Sequence, residues 1–183
     1  MPDAALILPG FFGKLPAMGD FVTRRLPASF VGRWDRWISR HLVHRFSQGP
    51  LGYPPILRFL LGNDTFGPMT GVILASADRA GRQFPLTIAV APPLAAAEIA
   101  SVAADWFDDL EAAGMAAREE GIDGDAFAAR LATLPYPAAA AAASGDIVGG
   151  MRFWMSHCAS VEIDPGAPDM ALSQFFPEDP GDV

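Results

Sequence analysis

Between Pro27 and Phe46 one helix face is spelled out in large apolar side chains. Phe30, Trp34, Trp37, Ile38, Leu42 and Phe46 follow at spacings of four, three, one, four and four. That recurrence predicts an amphipathic helix whose aromatic stripe needs a broad apolar partner. Burying both tryptophans contributes several kcal/mol, at about 25 cal/mol per Å² of apolar surface. Pro27-Ala28-Ser29 has the chemistry of a helix start, with Pro in the first turn and Ser able to cap. The opposite face carries Arg33, Arg36 and Arg40, with Arg45 beyond.

The partner for such a stripe is predicted on both sides of it. Gly10 to Lys14 and Asp20 to Thr23 read as two short strands joined by a Pro16-Ala17-Met18-Gly19 turn. Gln48 to Pro55 reads as a loop, rich in Gly and Pro. Ile56 to Leu61, Met69 to Ala75 and Phe84 to Ala91 read as three strands separated by turns. A long helix is expected from about Ala95 to Glu120, weakened at Gly114 and stopped at Gly121. A shorter one follows from about Asp123 to Leu134, capped by Asp123 or Asp125, with Phe127 and Leu131 inside. Ala138 to Ala143 fits a helical turn or a connector, and Ile147 to Met155 fits a last strand. The order β-β-α-β-β-β-α-α-β predicts a single-domain α-β-α layered sandwich around a mostly antiparallel sheet, an arrangement similar to longin or SNARE-like folds. The domain is expected over residues 1–163, with an irregular tail over 164–183 that is rich in Pro and Gly.

Composition narrows the class. With 183 residues the chain suits one domain. Its 51% apolar and 19% charged content excludes a disordered chain and a long coiled coil. One cysteine, Cys158, leaves no internal disulfide and no Cys-rich zinc site, and a buried thiol is expected. Met1-Pro2-Asp3 is acidic where a signal peptide needs positive charge, and no apolar run reaches a membrane span. A cytoplasmic protein without membrane insertion is the expectation.

The net charge of -8 argues against general nucleic-acid binding, yet it is unevenly spread. Residues 1–60 hold eight basic and three acidic side chains, and residues 61–183 hold five basic and eighteen acidic ones. Two readings follow. The favoured one is that the halves neutralise each other within one domain. The other is a basic face that meets an acidic partner, with salt-sensitive association.

Familiar reaction chemistry is hard to find. Gly10-Phe11-Phe12-Gly13-Lys14 lacks the spacing of a phosphate loop, and Leu15-Pro16 replaces the required Ser or Thr. His41 and His44 stand three apart without a visible third metal ligand. His157 and Cys158 are adjacent, so on a strand they point apart. Asp105, Asp108, Asp109 and Glu111 read as the solvated face of a helix. No cofactor or metal is expected. The densest polar segment is Asp78-Arg79-Ala80-Gly81-Arg82, a turn in which Asp78 accepts from the turn amides or pairs with Arg82.

Three ordered blocks resemble one family. The first is Gly10-Phe11-Phe12-Gly13-Lys14-Leu15-Pro16 with Gly19-Asp20-Phe21-Val22. The second is Leu26-Pro27 with Phe30-Val31 and Trp34-Asp35-Arg36-Trp37. The third is Gly71-Val72-Ile73-Leu74, Ser76, Asp78-Arg79, Gly81-Arg82 and Phe84-Pro85-Leu86-Thr87. Together they cover about the first half of the chain and are similar to the type VI secretion-associated protein family TagF, also called ImpM. The resemblance implies a non-catalytic, cytoplasmic accessory regulator that represses secretion post-translationally. The implied partner is a forkhead-associated scaffold protein, and self-association is left open. Lys14, Asp20, Asp78, Arg79 and Arg82 are the expected docking residues. Gly13, Pro16, Gly19, Phe21, Trp34, Asp35, Trp37, Gly81 and Pro85 are the expected structural ones. The alternative is a small enzyme or binding protein that gathers Lys14, Asp20, Asp78 and Arg82 around a phosphate-bearing ligand in a closed pocket.

Overall fold

The structure is a computed structural model that describes residues 6–47 and 54–177. Most of the expected loop at Gln48 to Pro55, the first five residues and the last six lie outside the described residues. The described residues build one seven-stranded sheet, with every neighbouring pair antiparallel. Its strands are β1 (Gly10–Gly13), β2 (Val22–Arg24), β3 (Leu57–Leu61), β4 (Met69–Leu74), β5 (Leu86–Val90), β6 (Met151–Trp154) and β7 (Val161–Ile163), in the order β2-β1-β5-β4-β3-β6-β7. The helices are α1 (Ala28–His41), α2 (Val43–Ser47), α3 (Ile99–Val102), α4 (Ala104–Glu120), α5 (Gly124–Leu131), α6 (Ala138–Ala141) and α7 (Asp169–Leu172).

The layered sandwich is as expected from the alternation of elements. The central strands are buried on both faces, so they read as unbroken apolar runs. Successive side chains still part to opposite sides. Phe12, Leu57, Phe59, Leu61, Ile73 and Phe153 join the layer of α1, α2 and α7. Phe11, Leu60, Val72, Leu74, Ile88 and Trp154 join the layer of α3 to α6.

The aromatic stripe packs as predicted. Trp34 is fully buried, stacks on Trp37 at 5.4 Å and donates its indole N–H to the Thr87 hydroxyl at 3.0 Å. That last bond satisfies the polar atom that burial would otherwise strand. Trp37 donates to the Pro165 carbonyl at 3.0 Å. Ser29 is not the cap: α1 starts at Ala28, Pro27 holds the cap position, and no side chain caps it. The helix also breaks at Leu42, so Phe46 belongs to the separate α2, where it is buried.

On the other layer Gly114 has a tertiary reason. A Cβ there would sit 2.9 Å from a methyl of Leu74, so the missing side chain lets α4 lie close on the sheet. The expected long helix is interrupted at Ala103, and its first residues, Ala95 and Ala96, instead lie in a buried extended approach that bridges to Ile147. Gly121, at φ 63°, ends α4, and Asp123 caps α5 by accepting from the amides of Asp125 and Ala126.

Three further differences concern the C-terminal part. The last predicted strand shortens to β6 and gains a partner, β7, too brief to show a period. Cys158 then falls in the turn between them and is exposed, not buried. The stretch from Asp164, expected to be irregular, carries α7 and buries Leu172 and Phe175 in the α1 layer.

Candidate functional site

The first and third sequence blocks meet at one end of the sheet, while the second forms α1 on its face. Lys14 leaves β1 there, and the long turn between β4 and β5 arrives beside it. Gly13 makes the approach feasible. Its φ is 140°, and a Cβ would lie 2.4 Å from the Pro85 carbonyl oxygen. The segment after β4 closes on itself through the Asp78 amide to the Arg82 carbonyl (3.1 Å) and the Gly81 amide to the Asp78 carbonyl (2.9 Å).

Asp78 is the hub. Its Oδ1 accepts from the amides of Ala80 and Arg82, both at 3.0 Å. Its Oδ2 accepts from Lys14 Nζ at 2.9 Å and Arg82 Nε at 2.7 Å. Both readings of the turn therefore hold together: Asp78 takes the turn amides and also pairs with Arg82. The carboxylate is buried, and burial alone would raise its pKa. The Lys14 ammonium, the Arg82 amide and guanidinium and the Ala80 amide outweigh that, and hold it well below the usual carboxylate range.

The same residues lace the two loops together. The Arg79 amide donates to the Met18 carbonyl at 2.8 Å, and its guanidinium to the Ala17 carbonyl. Arg82 Nη2 donates to the Gly19 carbonyl at 2.8 Å, and the Ser76 hydroxyl to the Lys14 carbonyl at 2.6 Å. Phe21 covers the junction, edge-on to Phe84 at 4.8 Å and stacked on Phe12 at 5.8 Å, with Lys14 Nζ 5.1 Å from its ring centre. It remains 46% exposed. Gly81 sits in its turn at φ 79°, and Pro16 lies half-buried at the junction.

This geometry corrects the expected docking set. Lys14 and Asp78 are buried partners of each other and present nothing to a partner protein. Asp20, Arg79 and Arg82 are exposed, and Asp20 accepts from the Phe21 amide at 2.7 Å. Of the four residues of the ligand-binding alternative, Lys14 and Arg82 meet on Asp78, and Asp20 accepts from the Phe21 amide instead. A cleft of about 290 Å³ nearby is lined by Pro16, Phe46, Phe84, Pro85 and Arg118, and by none of the four. Asp35 is half-buried on α1, and accepts from Ser39 at 3.4 Å.

Other candidates disperse as well. His41 ends α1 and His44 belongs to α2, and no cluster of three metal-ligating side chains occurs among the described residues. The acids of α4 are not all solvated. Asp108 and Glu111 both pair with Arg58, a nearly buried guanidinium on the central strand β3, with Glu111 at 2.6 Å. Sequence reading missed this cluster, although an arginine inside an otherwise apolar strand was its visible signal.

Fold and cluster together define a layered α/β domain in which Lys14, Asp78, Arg79 and Arg82 brace two loops. Residues 10–134 match the family described as the TagF N-terminal domain, type VI secretion system-associated, and the chain belongs to that family. Among solved structures it is similar to PA0076 from Pseudomonas aeruginosa PAO1, a crystal structure at 2.05 Å resolution, with 34% identity and a TM-score of 0.58. That match covers 70% of this chain and 63% of the Pseudomonas chain. No curated protein sequence matches. No helix among the described residues is long and apolar enough to cross a membrane.

Proposed function

We propose that this chain is a non-catalytic, cytoplasmic regulator of type VI secretion, which represses the apparatus post-translationally by binding a forkhead-associated scaffold protein. Membership of a secretion-associated family supports the system. The observation that carries the non-catalytic reading is the use made of the motif charges. Lys14, Asp78 and Arg82 spend their hydrogen-bonding capacity on one another and on loop carbonyls, where a catalyst would aim it into a cavity. Asp20, Arg79 and Arg82 leave an exposed polar rim around Phe21, which suits a protein surface better than a small ligand.

The test is affinity purification from the native lysate with the whole chain as bait, read by mass spectrometry, beside Arg82→Glu. Enrichment of a forkhead-associated scaffold by the native chain is expected, with a weaker yield from the variant. Recovery of no secretion component would overturn the reading.

A further inference from the structure

We infer that the outward face of α1 is a docking surface for an acidic segment of a protein partner. The inference deepens the regulator reading by naming a surface and the chemistry it recognises.

Residues 1–60 carry eight basic side chains. Four of them find acids from the rest of the chain. Lys14 pairs with Asp78, Arg24 with Asp125, Arg45 with Asp169, and Arg58 with Asp108 and Glu111. Arg25 reaches only the Ala128 and Pro9 carbonyls. The remaining three, Arg33, Arg36 and Arg40, form no ion pair with any described residue, and all three are exposed. Arg33 donates to the Thr65 carbonyl at 3.0 Å and rests on Phe66, which orients it without cancelling its charge. So the uneven charge of the sequence is half neutralised by folding, and much of the remainder is concentrated on one helix.

Spacing makes these three a unit. Positions 33, 36 and 40 fall on one side of a helix and span about 10 Å along its axis. The inner side of α1 is fixed by Phe30, Trp34, Trp37 and Ile38, all buried, so the stripe is presented on a rigid platform. The one acid on the helix, Asp35, is half-buried to the side and occupied by Ser39. Guanidinium groups suit carboxylates because their planar donors can bond both oxygens.

Size and field select the partner. On the other side of the sheet, Asp105, Asp109, Glu119, Glu120, Asp123 and Asp125 are exposed, and the whole chain carries a net charge of -8. A long polyanion such as nucleic acid would run off the stripe into a repelling field. A short run of Asp or Glu, with carboxylates about 7 Å apart in an extended chain, fits within it.

Fluorescence anisotropy with the full chain tests this. The probe is a labelled peptide of alternating Glu and Ser, with its Gln-for-Glu analogue and a thymidine oligonucleotide as competitors in class. Binding of the acidic peptide at low salt, none of the Gln analogue, and a loss of about tenfold or more in the Arg36→Glu/Arg40→Glu double variant are expected. Arg36→Gln and Arg40→Gln singly should give intermediate losses, and Arg130→Gln on the opposite layer none. Circular dichroism reports that each variant is folded. No binding by the native chain, equal binding by the double variant, or an oligonucleotide bound as tightly as the peptide would overturn the inference. The assay contains no secretion component, so its outcome is read separately from the scaffold purification.

Discussion

Two groups of basic residues in this molecule use the same chemistry in opposite ways. At the end of the sheet, Lys14 and Arg82 close on Asp78, whose side chain has no solvent exposure. On α1, Arg33, Arg36 and Arg40 are exposed and form no ion pair among the described residues. The first group is a latch, and removing a member leaves charge stranded in a low-dielectric setting. The second group can be matched from outside, and its loss strands no buried charge, only the Thr65 carbonyl that Arg33 reaches. A basic residue in a family motif is therefore not evidence of docking until its own carboxylate has been looked for.

Substitutions can break or sharpen that contrast. Asp78→Ala should have the largest effect on thermal unfolding, because it strands the buried Lys14 ammonium and releases two turn amides together. Lys14→Ala should cost less, about 1–3 kcal/mol by denaturant titration, since Arg82 and the amides still hold Asp78. The latch also predicts a pH signature. Its carboxyl titrates lower in the folded chain than in the unfolded one, so its contribution is complete above the ordinary value of 3.8. That contribution is lost as pH falls from there towards the folded value. The native chain should lose stability in acid more steeply than Asp78→Ala, as measured by unfolding midpoints along a pH series. At the small end, Arg36→Glu/Arg40→Glu should change folding stability by less than about 0.5 kcal/mol. A large loss from the double variant, or none from Asp78→Ala, would erase the distinction. Salt sharpens it further. Acidic-peptide binding at the stripe should weaken steeply with ionic strength, while the unfolding midpoint of the latch should barely respond.

How much of this was legible depended on how far apart the partners lie in the chain. The Asp78–Arg82 pair is four residues long and could be read from the turn alone. The Lys14–Asp78 pair spans 64 residues, and nothing local says that Gly13 brings β1 against Pro85. Lys14 was therefore expected on the surface with Arg79 and Arg82. Arg58 shows the same limit: its carboxylates stand on α4, 50 and 53 residues on, so those acids read as solvated. Cys158 was misplaced for a different reason. Cysteine's usual preference for burial points inward, but β7, too short at three residues to display a period, leaves the thiol in an exposed turn after β6.

What the sequence determined by itself was what local periodicity and turn chemistry can specify. The aromatic stripe of α1, the β1–β2 hairpin, the three central strands, the Gly121 stop and the Asp123 cap all depend on residues within a few positions of one another. Together with the motif blocks, they were enough for the layered fold and the family. Only the tertiary structure decided the strand order, the seating of the segment after Asp164, and which charges are used up inside. Burial and ion pairing are properties of distant segments brought together. A helix pattern specifies a face, but the packing of the whole chain decides whether an arginine on it already has its carboxylate.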